Sequence, residues 1–167
     1  MENPELAKRA EVKAVRGFID APELEGDAVA DVGLQRAFVQ LYFAIPSTES
    51  GIASAIKAIK ESMETIAMAE DWIRRAELSL QEALLNGHYH GNSGNPSKEL
   101  RVGCLMSPSR LEICVQDDGA GYHGHNNFAA PDPNESHGRG LFLIHRLMDR
   151  VAITANGSCI VMYLGRE

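Results

Sequence analysis

The residues best suited to chemistry begin with a glutamate and an asparagine four positions apart, Glu82 and Asn86. They lie in an amphipathic segment that predicts a helix from about Asp71 to Tyr89, where residues four apart share one face. Such pairs are common on solvated helix surfaces, but apolar neighbours leave little of this surface for solvent: Leu80, Ala83, Leu84 and Leu85. A carboxylate there can accept a proton from a nucleophile, and an amide oxygen is a hard ligand for Mg²⁺.

A second candidate is the segment 117–121, Asp-Asp-Gly-Ala-Gly, which follows a predicted strand. Side chains alternate along a strand, so Asp117 is predicted to point inward with the apolar residues before it, and Asp118 outward. A buried carboxylate needs hydrogen-bond donors, and the amino group of adenine is one. The two glycines allow the backbone to turn and to approach a ligand closely. A plain Asp-Gly turn after a strand is the alternative.

The third candidate is Gly138-Arg139-Gly140-Leu141, which precedes a dense apolar run and is predicted to open a helix. The first N–H groups of a helix have no intrahelical acceptor and favour an anion such as phosphate. By itself, Gly-x-Gly is also common at the end of a flexible loop.

A long aperiodic segment from Gly119 to His137 precedes this helix, and its length predicts a functional loop rather than a passive connector. It contains His123, His125 and His137, residues of the kind that bind transition metals. Histidines beside asparagine and glycine in a loop are more often only solvated, and we favour that interpretation.

The remaining pattern predicts the elements that position these residues. Alternation predicts a strand from Phe38 to Ile45, and apolar spacings of three and four predict a helix over about residues 50 to 68, with Ser47 and Ser50 as caps. Further predicted elements are a hairpin of residues 100–106 and 111–115, a helix over 141–148, and strands 151–155 and 158–164 around Asn156-Gly157. This order gives an α/β (α+β) two-layer sandwich, a mixed, mainly antiparallel sheet with three helices on one face.

The composition is that of a soluble globular domain. The 167 residues are 44% hydrophobic and 23% charged, which disfavours both disorder and a membrane span. Sixteen Lys+Arg against 23 Asp+Glu give a net charge of −7, which disfavours nucleic acid and anionic lipid as partners and favours a protein or a small ligand. We predict an N-terminal extension of unknown role over residues 1–35 and a folded domain over 36–167.

The cysteines Cys104, Cys114 and Cys159 are odd in number and lie in apolar runs, which predicts buried free thiols rather than a disulfide framework. No apolar targeting segment follows the N-terminus, and no apolar stretch is long enough to span a bilayer. These features indicate a cytoplasmic protein.

Together and in this order, the three candidate segments resemble the N, G1 and G2 boxes of the GHKL (histidine-kinase-like) ATPase superfamily. The resemblance covers about residues 37 to 164 and is closest to the bacterial anti-sigma-factor serine/threonine-protein kinases. It rests on Glu82-Ala-Leu-Leu-Asn86 with His90-Gly91-Asn92, on Asp117-Asp118-Gly119-Ala120-Gly121, and on Gly138-Arg139-Gly140-Leu141-Phe142-Leu143-Ile144 with Leu147-Met148-Asp149. It implies a Bergerat-type ATP-binding fold.

The resemblance also implies roles for individual residues. Glu82 matches the general base that activates a serine hydroxyl or a water, and Asn86 matches the Mg²⁺ ligand. Asp117 matches the acid that accepts a hydrogen bond from the amino group of adenine. The other positions matching nucleotide-binding residues are His90, Gly119, Gly121, Gly138, Arg139, Gly140 and Leu141. The loop from Gly119 to His137 would be the ATP lid.

Two departures from the family pattern stand out. Some of these kinases place an arginine before the G2 glycines to meet the γ-phosphate, whereas residues 135–137 here are Glu-Ser-His, and Arg139 is the candidate substitute. Gly87 replaces the usual alanine after the asparagine, which costs up to ~1 kcal/mol of helix propensity. The glycine predicts that the helix ends early or packs tightly.

The implied function is that of an anti-sigma factor and serine kinase that uses ATP and Mg²⁺ to phosphorylate an anti-sigma-factor antagonist. The expected partners are a sigma factor and that antagonist, in a homodimer without direct nucleic-acid or membrane contact. The alternative is a non-catalytic ATP-binding regulatory module. A histidine kinase acting in cis is disfavoured, because the first histidine of the chain, His88, lies inside the site region.

Overall fold

The computed structural model describes residues 39–121 and 139–165. Its strands are β1 (Val39–Pro46), β2 (Glu99–Ser107), β3 (Arg110–Asp117), β4 (Arg150–Thr154) and β5 (Cys159–Gly165). Its helices are α1 (Glu49–Thr65), α2 (Glu70–Asn86) and α3 (Arg139–Leu147), and single helical turns cover Gly87–Gly91 and Ala155–Gly157. The predicted N-terminal extension and most of the predicted lid lie outside the described residues, so the domain division stays a prediction.

The strands form one five-stranded sheet in the order β1-β2-β3-β5-β4, and every neighbouring pair is antiparallel. Alternate residues of the central strands face the helices and are almost completely buried: Leu100, Val102, Met106, Leu111, Ile113 and Met162. The apolar faces of the helices cover this side of the sheet and complete the main core. The predicted fold class, an α/β two-layer sandwich, is confirmed.

Helix α1 shows where local sequence reasoning was wrong about a cap. The hydroxyl of Thr48 accepts a hydrogen bond from the Gly51 N–H at 3.1 Å, so Thr48 is the N-cap. We predicted Ser47 and Ser50 as caps. Ser47 is instead buried after β1, where its hydroxyl lies 2.9 Å from Nδ1 of His88, and Ser50 already belongs to the helix.

Helix α2 continues beyond Asn86 as a π-helical turn over Gly87–Gly91. Gly87 is buried, and a Cβ at this position would lie 2.8 Å from Cδ2 of Leu100 on β2. We predicted that the helix either ends early or packs tightly at Gly87, and the contact with Leu100 shows that it packs tightly. The α-helical geometry itself does end at Asn86.

Two hydrogen bonds donated by Arg75 hold the end of α3 against α2. Arg75 on α2 donates to the carbonyl oxygen of Leu147 at 2.6 Å and to Oδ1 of Asp149 at 2.8 Å, while Oδ2 of Asp149 accepts the Gly165 N–H. These contacts hold the C-terminal end of α3 beside the first half of α2, with Ile144 fully buried in between. The N-terminal end of α3 consequently lies beside the second half of α2, where Glu82 and Asn86 are. In the part of the chain described, no helix is both long and apolar enough to cross a membrane.

Candidate functional site

Helix α2 presents Glu82 and Asn86 to the first turn of α3. A Cβ placed on Gly140 would lie 2.8 Å from Oε2 of Glu82 and 3.1 Å from Nδ2 of Asn86. Any residue larger than glycine would therefore push against both functional side chains. The fold thus brings the first and third candidate segments together at one point, with Glu82 and Asn86 on one face of α2 as their four-residue spacing predicts.

The first turn of α3 adds backbone donors to this point. The N–H groups of Arg139, Gly140 and Leu141 are among the first of the helix, so they form its positive end. The Arg139 side chain is exposed, whereas Leu141 is half-buried against the main core and anchors the turn. The N–H groups of this helix end favour an anion, and the neighbouring carboxylate and amide supply a proton acceptor and an oxygen ligand.

Asp117 ends β3 on the helix side of the sheet, as the alternation of β3 predicts. Its Oδ1 accepts the Gly119 N–H at 2.8 Å, and its carboxylate lies directly against Gly91, where a Cβ would overlap it. Burial raises the pKa of Asp117 above its ordinary value, and the Gly119 N–H acts in the opposite direction. Asp117 is therefore a half-buried acid whose main neighbours are glycine backbones.

The glycines after Asp117 are required by close backbone contacts. A Cβ on Gly119 would overlap the carbonyl oxygen of Gly91. Gly121 has a φ of 89° and lies against the carbonyl oxygen of Asn156, so both its conformation and its surroundings exclude a side chain. These contacts join the π-helical turn, the end of β3 and the β4–β5 connection around Asp117.

A buried asparagine holds this junction together. Asn92, fully buried, accepts the Asp118 N–H through Oδ1 at 2.9 Å and donates through Nδ2 to the carbonyl oxygen of Glu99 at 2.9 Å. Asp118 then accepts from the Glu99 N–H and from Arg101. Asn92 thus fixes the backbone next to Asp117. We counted Asn92 in a motif without assigning it this role, because one of its partners, Asp118, is 26 positions away and comes beside it only in the folded sheet.

Comparison with known proteins shows the family of this chain. Residues 45–164 match the family described as the histidine kinase-like ATPase domain. The chain belongs to this family. It is also similar to the serine-protein kinase RsbW of Bacillus pumilus (strain SAFR-032), with 28% identity over 134 residues, which cover 72% of this chain and 76% of the relative.

Two predicted site residues of this histidine kinase-like ATPase domain remain, His90 and Gly138, and the structure describes only the first of them. His90 lies exposed on the π-helical turn, and no contact among the described residues joins it to Glu82, Asn86 or Asp117. Gly138 lies outside the described residues, as do the three loop histidines weighed as metal ligands. Within 39–121 and 139–165, no group of three or more His, Cys, Asp or Glu side chains is arranged to hold a metal ion.

We expect Asn92→Ala to lower the free energy of unfolding by about 1 to 3 kcal/mol, because it leaves the partly buried Asp118 N–H and Glu99 carbonyl oxygen without their partner. Urea unfolding of the full chain measures this loss. The matched control is Asn95→Ala, since Asn95 is exposed in the same loop and its side chain accepts the Ser97 N–H. A loss no larger in Asn92→Ala than in Asn95→Ala would contradict the assigned role.

Proposed function

We propose that this histidine kinase-like ATPase domain binds ATP and Mg²⁺ between α2 and the N-terminal end of α3 and phosphorylates a serine of a protein partner. The observation that carries the proposal is the convergence of Glu82 and Asn86 on Gly140. A Cβ at Gly140 would fill the space beside both side chains, so glycine keeps that space open. A general base, a hard oxygen ligand and helix-terminal N–H groups are the chemistry that phosphoryl transfer needs.

Asp117 is proposed to recognise adenine. Its carboxylate accepts a hydrogen bond from the exocyclic amino group, and partial burial strengthens such a bond by limiting competition from water. Gly119 and Gly121 allow the close backbone contacts that hold the turn after Asp117 in place. This assignment explains why an acid is retained in a half-buried position where burial raises its pKa.

The phosphates are proposed to lie at the N-terminal end of α3. Gly138, Gly140 and the Leu141 amide would supply backbone donors, and the Arg139 guanidinium would add a positive charge. Asn86 Oδ1 would be the protein ligand of Mg²⁺, which neutralises phosphate charge during transfer. His90 is retained as a further nucleotide-binding position by resemblance alone.

Glu82 is proposed as the general base. Its carboxylate takes the proton of the serine hydroxyl while the serine oxygen forms a bond to the γ-phosphorus and the bond to ADP breaks. The products are ADP and a phosphoserine on the partner, and Glu82 then releases its proton to solvent. The position of Glu82 beside Gly140, in the first turn of α3, supports a role next to the transferred group rather than next to the adenine.

The partner is proposed to be an anti-sigma-factor antagonist, and the domain is proposed to act as an anti-sigma factor that holds a sigma factor until the antagonist displaces it. Support comes from the similarity to a relative named serine-protein kinase. A net charge of −7 agrees with protein partners rather than nucleic acid. The switch would operate in the cytoplasm, as a homodimer.

A non-catalytic ATP-binding regulatory module is the second candidate. It is favoured by the Glu-Ser-His sequence at 135–137, which puts no arginine before the G2 glycines. In this candidate the nucleotide only stabilises a partner-binding conformation, and Glu82 is not needed.

Substitution of Glu82 by Gln separates the two candidates. We expect Glu82→Gln to slow phosphoserine formation on the antagonist by at least about 10²-fold, the lower range for loss of a general base, and to leave ATP affinity within about threefold. The assay follows label from [γ-³²P]ATP with Mg²⁺ to recombinant antagonist proteins of the source organism.

The matched control for this assay is Glu70→Gln, which changes an exposed carboxylate of the same helix. Full phosphorylation by Glu82→Gln would exclude Glu82 as the base. Absence of phosphoserine on every antagonist with the unsubstituted chain, together with normal ATP binding, would favour the regulatory module.

Substitution of Gly140 by Ala tests the phosphate end. The new Cβ must displace Glu82 and Asn86, so we expect ATP affinity to fall at least about tenfold, equivalent to roughly 1.4 kcal/mol. Alanine favours the helix over glycine, so thermal stability should not fall. Gly103→Ala is the matched control, because a Cβ there meets only ordinary contacts at 3.9 Å. Unchanged ATP affinity in Gly140→Ala would place the phosphates elsewhere.

A further inference from the structure

Two of the three cysteines meet on the side of the sheet opposite the helices. Sγ of Cys114 on β3 and Sγ of Cys159 on β5 are 2.9 Å apart, although the residues are 45 positions apart in the chain. Both are buried in a small cluster with Val161, and Tyr163 packs against it. The third thiol, Cys104, is equally buried but lies in the main core on the helix side.

We propose that Cys114 and Cys159 form a reversible intramolecular disulfide that lowers the affinity of the nearby nucleotide site. The two sulfur atoms are already adjacent, and a disulfide requires them to approach to about 2.05 Å. Formation of the disulfide is inferred from this contact between the two sulfur atoms, independently of the proposed function. The coupling half rests on the proposed ATP site.

Local electrostatics favour Cys159 as the attacking thiolate. The hydrogen bond from the Cys114 thiol lowers the pKa of Cys159 below the ordinary thiol value against the effect of burial, and Thr154 on β4 contributes in the same direction. The same contact and burial raise the pKa of Cys114. Burial also raises the pKa of the isolated Cys104, which has no such neighbour. Both shifts favour a thiolate at Cys159 over one at Cys114.

The chemistry balances with hydrogen peroxide as the oxidant. The Cys159 thiolate attacks one peroxide oxygen, the O–O bond breaks, and the released hydroxide takes a proton to give water. Cys114 then attacks the sulfur of the Cys159 sulfenic acid, the S–O bond breaks, and a second water leaves with the Cys114 proton. The protein loses two hydrogens and peroxide is reduced to two waters. A small-molecule dithiol reverses the step.

The strand register explains why this disulfide would act on the nucleotide site. Cys114 lies opposite Val161, and Cys159 lies opposite Gln116, so the cysteines are diagonal neighbours. Closing the bond brings the two sulfur atoms from 2.9 Å to about 2.05 Å, and we expect this to shift the facing ends of β3 and β5 towards each other. The Asp117 N–H donates to the carbonyl oxygen of Ser158 at 3.0 Å, directly before Cys159. Asp117 therefore moves with the shift.

The first part of the test is peptide mapping. The full chain is reduced, freed of reductant, treated with stoichiometric hydrogen peroxide and digested with trypsin. Trypsin cuts after Arg101, Arg110, Arg139 and Arg150, so each cysteine lies in a separate peptide. We expect a linked pair of the peptides 111–139 and 151–166, two hydrogens lighter, which dithiothreitol separates. Cys104→Ser should keep this link, and Cys114→Ser should lose it and leave a sulfenic acid on Cys159 that dimedone traps.

The second part is ATP affinity before and after oxidation. We expect the disulfide to weaken ATP binding at least about fivefold, the lower end of typical coupling between sites, with full recovery on reduction. Peroxide should not change the affinity of the Cys114→Ser, Cys159→Ser double variant. By linkage, saturating ATP should disfavour the disulfide by the same factor in a glutathione redox buffer.

Each failure has its own meaning. Oxidation without the link between 111–139 and 151–166 in the folded chain would overturn the disulfide. The link with unchanged ATP affinity would overturn the coupling. An absence of ATP binding even in the reduced chain would contradict the proposed function, while the peptide map would still test the disulfide.

Discussion

The structure depends on three places where backbone lies directly against a carboxylate. A Cβ on Gly91 would overlap Asp117, a Cβ on Gly119 would meet Asp117 and the Gly91 carbonyl oxygen, and a Cβ on Gly140 would push the Glu82 carboxylate aside. Two of these contacts join separate elements: the π-helical turn with β3, and α2 with α3. Backbone thus lies close to both candidate carboxylates, and such positioning is what the proposed phosphoryl transfer would require of a site.

Periodicity in the sequence was sufficient to predict much of this arrangement. The alternation of β3 put Asp117 on the helix side, and the spacing of four on α2 put Glu82 and Asn86 on one face; both agree with the structure. These patterns are local, and they arise because each element buries one apolar face at the boundary between helices and sheet. The family resemblance is confirmed by the match over residues 45–164.

The features that were not predicted depend on contacts between distant segments. The cap at Thr48 was missed because Ser47 is instead paired with His88, 41 positions away. Asn92 acquires its role only when β2 and β3 come together beside it. The buried state of the cysteines was predicted from their apolar surroundings and is confirmed, but the meeting of Cys114 with Cys159 requires the β3–β5 pairing.

The two faces of β3 carry different chemistry within a few residues. Asp117 faces the helices, Cys114 faces the other side, and both meet the beginning of β5. A strand end that connects a proposed adenine site to a thiol pair would couple the two without a moving domain. Asn92 and Arg101 hold the same strand end through their hydrogen bonds to Asp118.

Asp117, Asn86 and the N-terminal end of α3 are proposed to form one nucleotide site. Thermal unfolding of the reduced chain with ATP, with GTP, and with and without Mg²⁺ tests it most directly, in parallel with Asp117→Asn. ATP at about 100 times its Kd should stabilise the chain by ~2.7 kcal/mol, a rise in Tm of roughly 5 to 10 °C. We expect this rise with ATP but not with GTP. Mg²⁺ should increase it, and the Asp117→Asn variant should not show it. No rise with ATP, or an equal rise in the variant, would contradict the proposed site.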